Sequence, residues 1–165
     1  MPPPRVSIQT EDFDLSQEVE ALHRDEPGIG AVASFVGIVR ESADGAGLTA
    51  LELEHYPDMT ERAIESMIDE ARNRFDIRSA RVVHRIGILR LHEQIMMVAV
   101  ASAHRGDAFQ ACEFLMDYLK TQAPFWKKEI RADGSARWVD ARAVDDQALR
   151  RWGVPTDDNA GFASR

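Results

Sequence analysis

The sequence predicts an α+β fold. Stretches with a two-residue apolar rhythm are interleaved with stretches of helical rhythm, and the polar link Leu91-His92-Glu93 joins two strand-like runs in the manner of an antiparallel pair. Length agrees with this class. The 165 residues fit one domain of ordinary size, expected over 1–153, which is long enough to bury a core without disulfides.

The elements follow in order. Residues 1–5 are proline-rich and read as a loose extension. Val6 and Ile8 alternate with Ser7 and Gln9, which predicts a short strand over 6–9. A short helix is expected over 15–23, ended by the Pro27-Gly28 stretch. The run GAVASFVGIVR, 30–40, is rich in β-branched and apolar residues and predicts a largely buried strand. A loop over 41–47 follows from its small and polar composition. Over 48–56, Leu51 and Leu53 point one way and Glu52 and Glu54 the other, the pattern of a half-buried strand. The helix over about 59–75 shows Ile64, Met67, Ile68, Ala71 and Phe75 on one stripe, with Asp58 and Glu61 at capping-box spacing before it. Strands are expected over 80–89 and 94–103. The second, QIMMVAVASA, is apolar on both faces and should be central. A helix over about 107–121, with Asp107 as N-cap, carries Ala108, Ala111, Cys112, Leu115 and Leu119 on its apolar face and stops before Pro124. Arg137-Trp138-Val139 predicts a last strand, and 154–165 a polar, disordered tail.

Charge and composition exclude several functions. With 28 acidic against 20 basic residues the formal net charge is −8, so neither nucleic acid nor an anionic membrane is an expected partner. The single Cys112 cannot form an internal disulfide, which fits a reducing, cytoplasmic setting; it falls on an apolar helix face, where an inert buried thiol is expected. The start, MPPPRVSIQT, lacks the apolar run of a signal peptide, and no segment is long and apolar enough to span a bilayer. The five histidines have no metal-ligand spacing, and Gly28-x-Gly30 and Gly45-x-Gly47 are too short for dinucleotide or phosphate loops.

Positive charge is gathered unevenly. His104 and Arg105 fall where the central strand passes into the helix at 107, Lys120 falls at the far end of that helix, and Lys127 and Lys128 follow Pro124-Phe125-Trp126. Cations beside aromatic residues in an acidic protein point to an anionic ligand such as a phosphate or carboxylate. The helix N-terminus adds backbone N–H groups and the positive end of the dipole. A bland reading stands beside this one: the dipole favours a lysine at a helix C-terminus whatever else it does, and a Lys-Lys pair in a loop is commonly just solvated. Lys120 also lies about 20 Å from His104 along a straight helix. Either the loop at 123–128 folds back, or a second copy of the chain completes the site.

Seven blocks carry a family resemblance: FVGIVR (35–40), LELEHYPDMTERAI (51–64), EARNRF (70–75), VVHRIGIL (82–89), ASAHR (101–105), FLMDYLKTQAPFWKKE (114–129) and RWVDAR (137–142). In this order they resemble the large, catalytic subunit of molybdopterin synthases, the MoaE family; HYPDMTE, SAHR and DYLKTQAPFWKKE are the most specific. The resemblance implies an α/β hammerhead fold with an additional antiparallel β subdomain. It implies a heterotetramer, in which a homodimer of large subunits carries a small ubiquitin-like sulfur-carrier subunit at each end. The small subunit's Gly-Gly tail, ending in a thiocarboxylate, delivers sulfur to cyclic pyranopterin monophosphate and so forms the molybdopterin dithiolene, with no cofactor or metal on the large subunit.

Residue by residue, the resemblance makes Lys120 and Lys127 the catalytic candidates. It makes His104 and Arg105 a substrate-contacting pair and Val39-Arg40 a substrate-binding segment supplied by the neighbouring protomer. Lys128 and Glu129, which continue the second lysine's block, and Arg142, in a further matching block, are substrate-binding candidates as well. One departure stands out: many members carry a lysine where this chain has Ile38, so a side-chain contact there is lost while a backbone contact survives.

The expected chemistry is consistent with these residue types. Arg40, His104 and Arg105 neutralise the phosphate, Lys120 orients the thiocarboxylate and stabilises developing charge, and Lys127 donates or accepts a proton. Two other functions compete with this. A binding module that holds a phosphorylated ligand or a ubiquitin-like partner without catalysis is favoured only by Ile38. A phosphate-ester hydrolase lacks a metal site or an activated nucleophile.

Overall fold

The computed structural model describes residues 4–42, 45, 47–139 and 143–154, the side chains of 143–146 excepted. Its elements run β1 (Val6–Gln9), α1 (Leu15–His23), β2 (Ala31–Ile38), β3 (Leu48–His55), α2 (Met59–Arg74), β4 (Ile77–Arg85), β5 (Gly87–Arg90), β6 (Gln94–Ser102), α3 (Arg105–Gln122), β7 (Phe125–Arg131), β8 (Ala136–Val139) and α4 (Ala143–Arg150). The class is the α+β one expected, built on two four-stranded sheets.

The first sheet has the order β1-β4-β6-β2, with β1 parallel to β4 and the other pairs antiparallel. The central strand β6 buries both faces, which is why it has no polar alternation. Val82, Val98 and Val100 face α2 and α3, packing with Ile64, Met67, Phe114 and Leu115. Val83, Met97, Ala99 and Ala101 face the other way, under Phe13 and Leu22 on and before α1. The second sheet, β5-β3-β7-β8, is wholly antiparallel, and Leu48, Leu51, Leu53 and Leu89 form its own small core with Val39. This is the additional antiparallel β layer. None of the described helices is long and apolar enough to cross a membrane.

Several expectations need correction. The strand foreseen over 80–89 is two strands in two sheets. The chain breaks at Ile86, whose N–H reaches Gln9 O at 2.9 Å, and Gly87 at φ 88° takes the left-handed conformation open to glycine. β4 therefore stays in the first sheet while β5 crosses to pair with β3. The strand foreseen as largely buried over 30–40 is an edge strand, with Phe35 41% and Ile38 52% exposed.

Neither expected cap forms. Asp58 sits at φ 67° with no side-chain cap bond, and α3 begins at Arg105, so that His104, not Asp107, occupies its cap position. At the start of α2, Thr60 supplies the polar contact instead: its Oγ1 accepts from Tyr56 N at 3.0 Å and donates to Pro124 O at 2.9 Å. The charged segment foreseen as a loop at 123–128 is mostly β7, and α4 was not foreseen. Val154 is buried against the main core, one residue past the expected end of packing; the rest of the expected tail, 155–165, and Arg142 lie outside the described residues.

Candidate active site

The two sheets meet around a cavity of about 450 Å³, walled by the end of β2, the inner faces of β3 and β7, and the last turns of α3. Each functional side chain reaches it for a local reason. A register shift between Gly37 and Ile38 releases β2 from β6. The freed backbone is then pinned to the β5–β6 turn: Val39 N donates to Glu93 O at 2.9 Å, and His92 N donates to Val39 O at 2.9 Å. Val39 is thereby buried to 1% exposure, while the next residue, Arg40, projects at the cavity wall.

Lys120 stands on the last turn of α3, where its charge also complements the helix dipole. The chain then turns at Ala123-Pro124. The fully buried Thr60 clips Pro124 O to the start of α2, which fixes where β7 begins. From Phe125 the strand alternates, so Phe125, Lys127 and Glu129 face the cavity together with Leu51 and Leu53. Lys128 is turned to the opposite face. It pairs with Glu52 at 3.7 Å and lies 5.3 Å from the Trp138 ring centroid.

Two acids also line the wall, Glu41 and Glu129; Glu129 is 9% exposed and meets Arg131 at 3.6 Å and Arg137 at 3.5 Å. Arg40, Lys120 and Lys127 give the cavity a cationic wall, over an apolar floor of Leu51, Leu53, Met116 and Leu119. Such a site suits an anionic, partly apolar ligand. Among the described residues no group of histidine, cysteine and carboxylate side chains is arranged to hold a metal ion.

Of the residues singled out in the sequence, Ile38, Val39, Arg40, Lys120, Lys127 and Glu129 come together here within a single chain. Arg40 lines the same cavity as the two lysines. His104 and Arg105 do not join them: both are exposed at the opposite end of α3, where His104 N donates to Ser102 Oγ at 3.3 Å. At about 1.5 Å per residue, the helix keeps them roughly 20 Å from Lys120. The turn at 123–128 does fold back, but it carries only Lys127 to Lys120. Cys112 is buried, and burial pushes its thiol up to about 11, the inert state expected of it.

Sequence reasoning passed over one cavity residue, His84. It stacks on Phe125, with ring centroids 3.8 Å apart and planes at 19°, and its Nδ1 donates to Arg85 O at 2.8 Å. Burial, together with the charges of Lys120, His55 and Lys127, pushes its pKa down to about 4 against the single opposing effect of that carbonyl bond. In the sequence it stands between the apolar pair Val82-Val83 and Arg85, in a strand that carries three arginines, where nothing singles it out.

Comparison with known proteins gives the family. The sequence model described as "MoaE protein" matches residues 8–122, most of the chain. The chain belongs to the MoaE family. Among curated MoaE relatives, the molybdopterin synthase catalytic subunit of Ralstonia nicotianae is 57% identical over 161 residues, covering 98% of this chain and 90% of the relative. The protein of the same name from Escherichia coli is 48% identical, over 90% of this chain and 97% of its own length. Among solved structures, the molybdopterin biosynthesis MoaE protein from Burkholderia ambifaria superposes with a TM-score of 0.78 at 56% identity, covering 91% of this chain and 98% of that one. Molybdopterin synthase from Staphylococcus aureus superposes at 0.77 with 32% identity, over 84% and 98% of the two chains.

Proposed function

We propose that the cavity between the two sheets is where sulfur passes from the thiocarboxylate tail of a small ubiquitin-like subunit to cyclic pyranopterin monophosphate. Membership of the MoaE family, at 57% identity over nearly the whole chain to a curated relative, makes this protein the catalytic subunit of a molybdopterin synthase, an enzyme of molybdenum cofactor biosynthesis. The observation that carries the finer reading is the meeting of Lys120, Lys127 and Arg40 at one cavity wall within a single chain.

The division of labour follows from charge and position. Lys120 orients the incoming thiocarboxylate and stabilises the negative charge that develops as sulfur attacks. Lys127, on the strand facing it, donates or accepts the proton. Arg40 takes a substrate oxygen, and Ile38 leaves only its backbone for contact. Glu129 holds its two arginines and keeps the neighbouring strand in place. The apolar floor accommodates a flat ring system, and a tail of glycines reaches it with no side chains to obstruct it.

His104 and Arg105 are assigned to the same reaction through a second copy of the chain, whose α3 N-terminus brings its cations to this cavity. The working assembly is then a dimer of this chain with a small subunit on each copy, a bacterial enzyme of the cytoplasm. The Helicobacter pylori complex of subunits 1 and 2 of molybdopterin-converting factor shares the fold, at 18% identity and a TM-score of 0.70.

The test is reconstitution. Purified protein mixed with thiocarboxylated small subunit and the cyclic pterin should yield molybdopterin, and Lys120→Ala should abolish turnover while leaving the thermal transition intact. Full turnover in Lys120→Ala would remove that lysine from the reaction. Pterin binding without sulfur incorporation, with an active small subunit present, would favour the binding-module reading.

A further inference from the structure

We propose that Thr60 is a positioning residue for the lysine pair, and that the segment His55–Glu61 around it is a bracket that sets where Lys127 stands relative to Lys120. The proposal rests on the reading that these two lysines carry the sulfur transfer.

The lysines belong to different elements joined by a short link. Lys120 is on the last turn of α3, Lys127 is on β7, and Ala123 and Pro124 alone separate the helix from the strand. Ala123, at φ −77° and ψ 126°, is already extended, and Pro124 has no N–H to give to a neighbour. The link closes one bond of its own, from Phe125 N to Ala123 O at 2.9 Å. The direction in which β7 leaves α3 therefore depends on what grips the chain here from outside. The segment His55–Glu61 does so at three successive residues. Thr60 Oγ1 donates to Pro124 O at 2.9 Å, His55 is the register partner of Phe125, and the Tyr56 ring stands edge-on to Trp126 with centroids 5.1 Å apart.

The bracket is itself held firmly. Thr60 N donates to Tyr56 O at 2.9 Å and Tyr56 N donates to Thr60 Oγ1 at 3.0 Å, a reciprocal pair that closes the turn from β3 into α2. His55 Nε2 and Glu61 Oε1, 3.1 Å apart, join the two ends of the segment. Within it Asp58 takes φ 67°, a conformation that a residue with a Cβ keeps only where its surroundings impose it. Pro124 O can only accept, so the one hydroxyl proton of Thr60 is committed to it. Thr60 is 0% exposed, so water cannot take over either bond, and Ile64, Met67 and Ile68 anchor the rest of α2 in the core. A threonine serving only to cap α2 would turn its oxygen to the free N–H groups of the first helical turn. This one spends its proton on a carbonyl 64 residues away, in the link between the lysines.

The experiment separates position from stability. In the reconstituted enzyme, assayed well below the thermal transition of every variant, Thr60→Val keeps the shape and loses the hydroxyl. It should lower kcat roughly 10- to 100-fold, with KM for the pterin and affinity for the small subunit little changed. Thr60→Ser, which keeps the hydroxyl, should stay within about threefold of wild type. A hydroxyl that merely stabilises the fold would lower the thermal transition and leave the kcat of the folded protein alone. That result, with Lys120→Ala inactive, overturns the proposal and leaves the function standing; so does a kcat in Thr60→Ser as low as in Thr60→Val. Wild-type kcat in Lys120→Ala sinks the reading beneath it. Should Thr60→Val fail to fold, Tyr56→Ala decides the matter, because Tyr56 is 41% exposed and its loss frees Trp126 while sparing the core. It should lower kcat about 3- to 10-fold with the pterin KM unchanged, and wild-type kcat there overturns the proposal.

Discussion

The two ends of α3 carry cations of the same kind in opposite settings. At the C-terminal end, Lys120 and Arg40 are exposed and Lys127 and His84 half-buried, but all four line one cavity formed with strands from both sheets. At the N-terminal end, His104 and Arg105 stand exposed on an open surface, with no wall around them in this chain. A charged group becomes chemically potent when the surrounding protein excludes water and fixes its direction; the same group in open solvent is screened and mobile. The end that lines a cavity has the character of a reaction site; the open end, as proposed above, acts on the cavity of a second copy.

That contrast sets the order of effects expected from substitution. Lys127→Ala, like Lys120→Ala, removes a group from the reacting centre and should lower kcat by about 100-fold or more, with the small subunit still bound. Arg105→Ala removes one charge-assisted hydrogen bond to a bound phosphate. It should raise KM roughly 10- to 100-fold with a smaller change in kcat, measured by initial rates against pterin concentration. Equal kcat losses at both ends would erase the distinction between them.

A third effect bears on stability. In the unfolded chain His84 binds a proton near pH 6.5, whereas in the folded chain it does so only near about 4. Between those values the unfolded state holds more protons, so stability is full above about pH 6.5 and falls as the pH drops toward 4, by no more than about 3 kcal/mol. Denaturant midpoints for wild type and His84→Gln across that range measure it, and the variant should show the smaller decline. The smallest effect belongs to Lys128. Its pairing with Glu52 and Trp138 on the outer face should make Lys128→Ala cost under about 1 kcal/mol, with turnover close to wild type.

Much of this was legible in the residues. The helices α2 and α3 announce themselves through apolar stripes, and β6 through an unbroken apolar run, because burial alone dictates those patterns. The division of 80–89 was hidden because Ile86-Gly87 reads as a continuation of the strand; only competition between two sheets for the same chain splits it. Likewise β7 was hidden because Phe-Trp-Lys-Lys-Glu looks like a solvated loop until β3 supplies a partner. The resemblance singled out Lys120, Lys127 and Arg40, and the fold brings them together. The place of His84 depended on the stacking of Phe125 and on a single carbonyl, neither of which leaves a trace in spacing.

The most direct test of a site shared between copies is complementation in a mixed dimer. Chains carrying Lys120→Ala and chains carrying Arg105→Ala, each strongly impaired alone at pterin concentrations well below the wild-type KM, are co-expressed with different tags, and the mixed dimer is isolated and assayed under that condition. If each cavity takes its Arg105 from the other copy, one of the two sites in the mixed dimer is intact and about half of wild-type turnover should return. Turnover no higher than that of the two parent variants would place both residues in the service of a single chain and contradict the account.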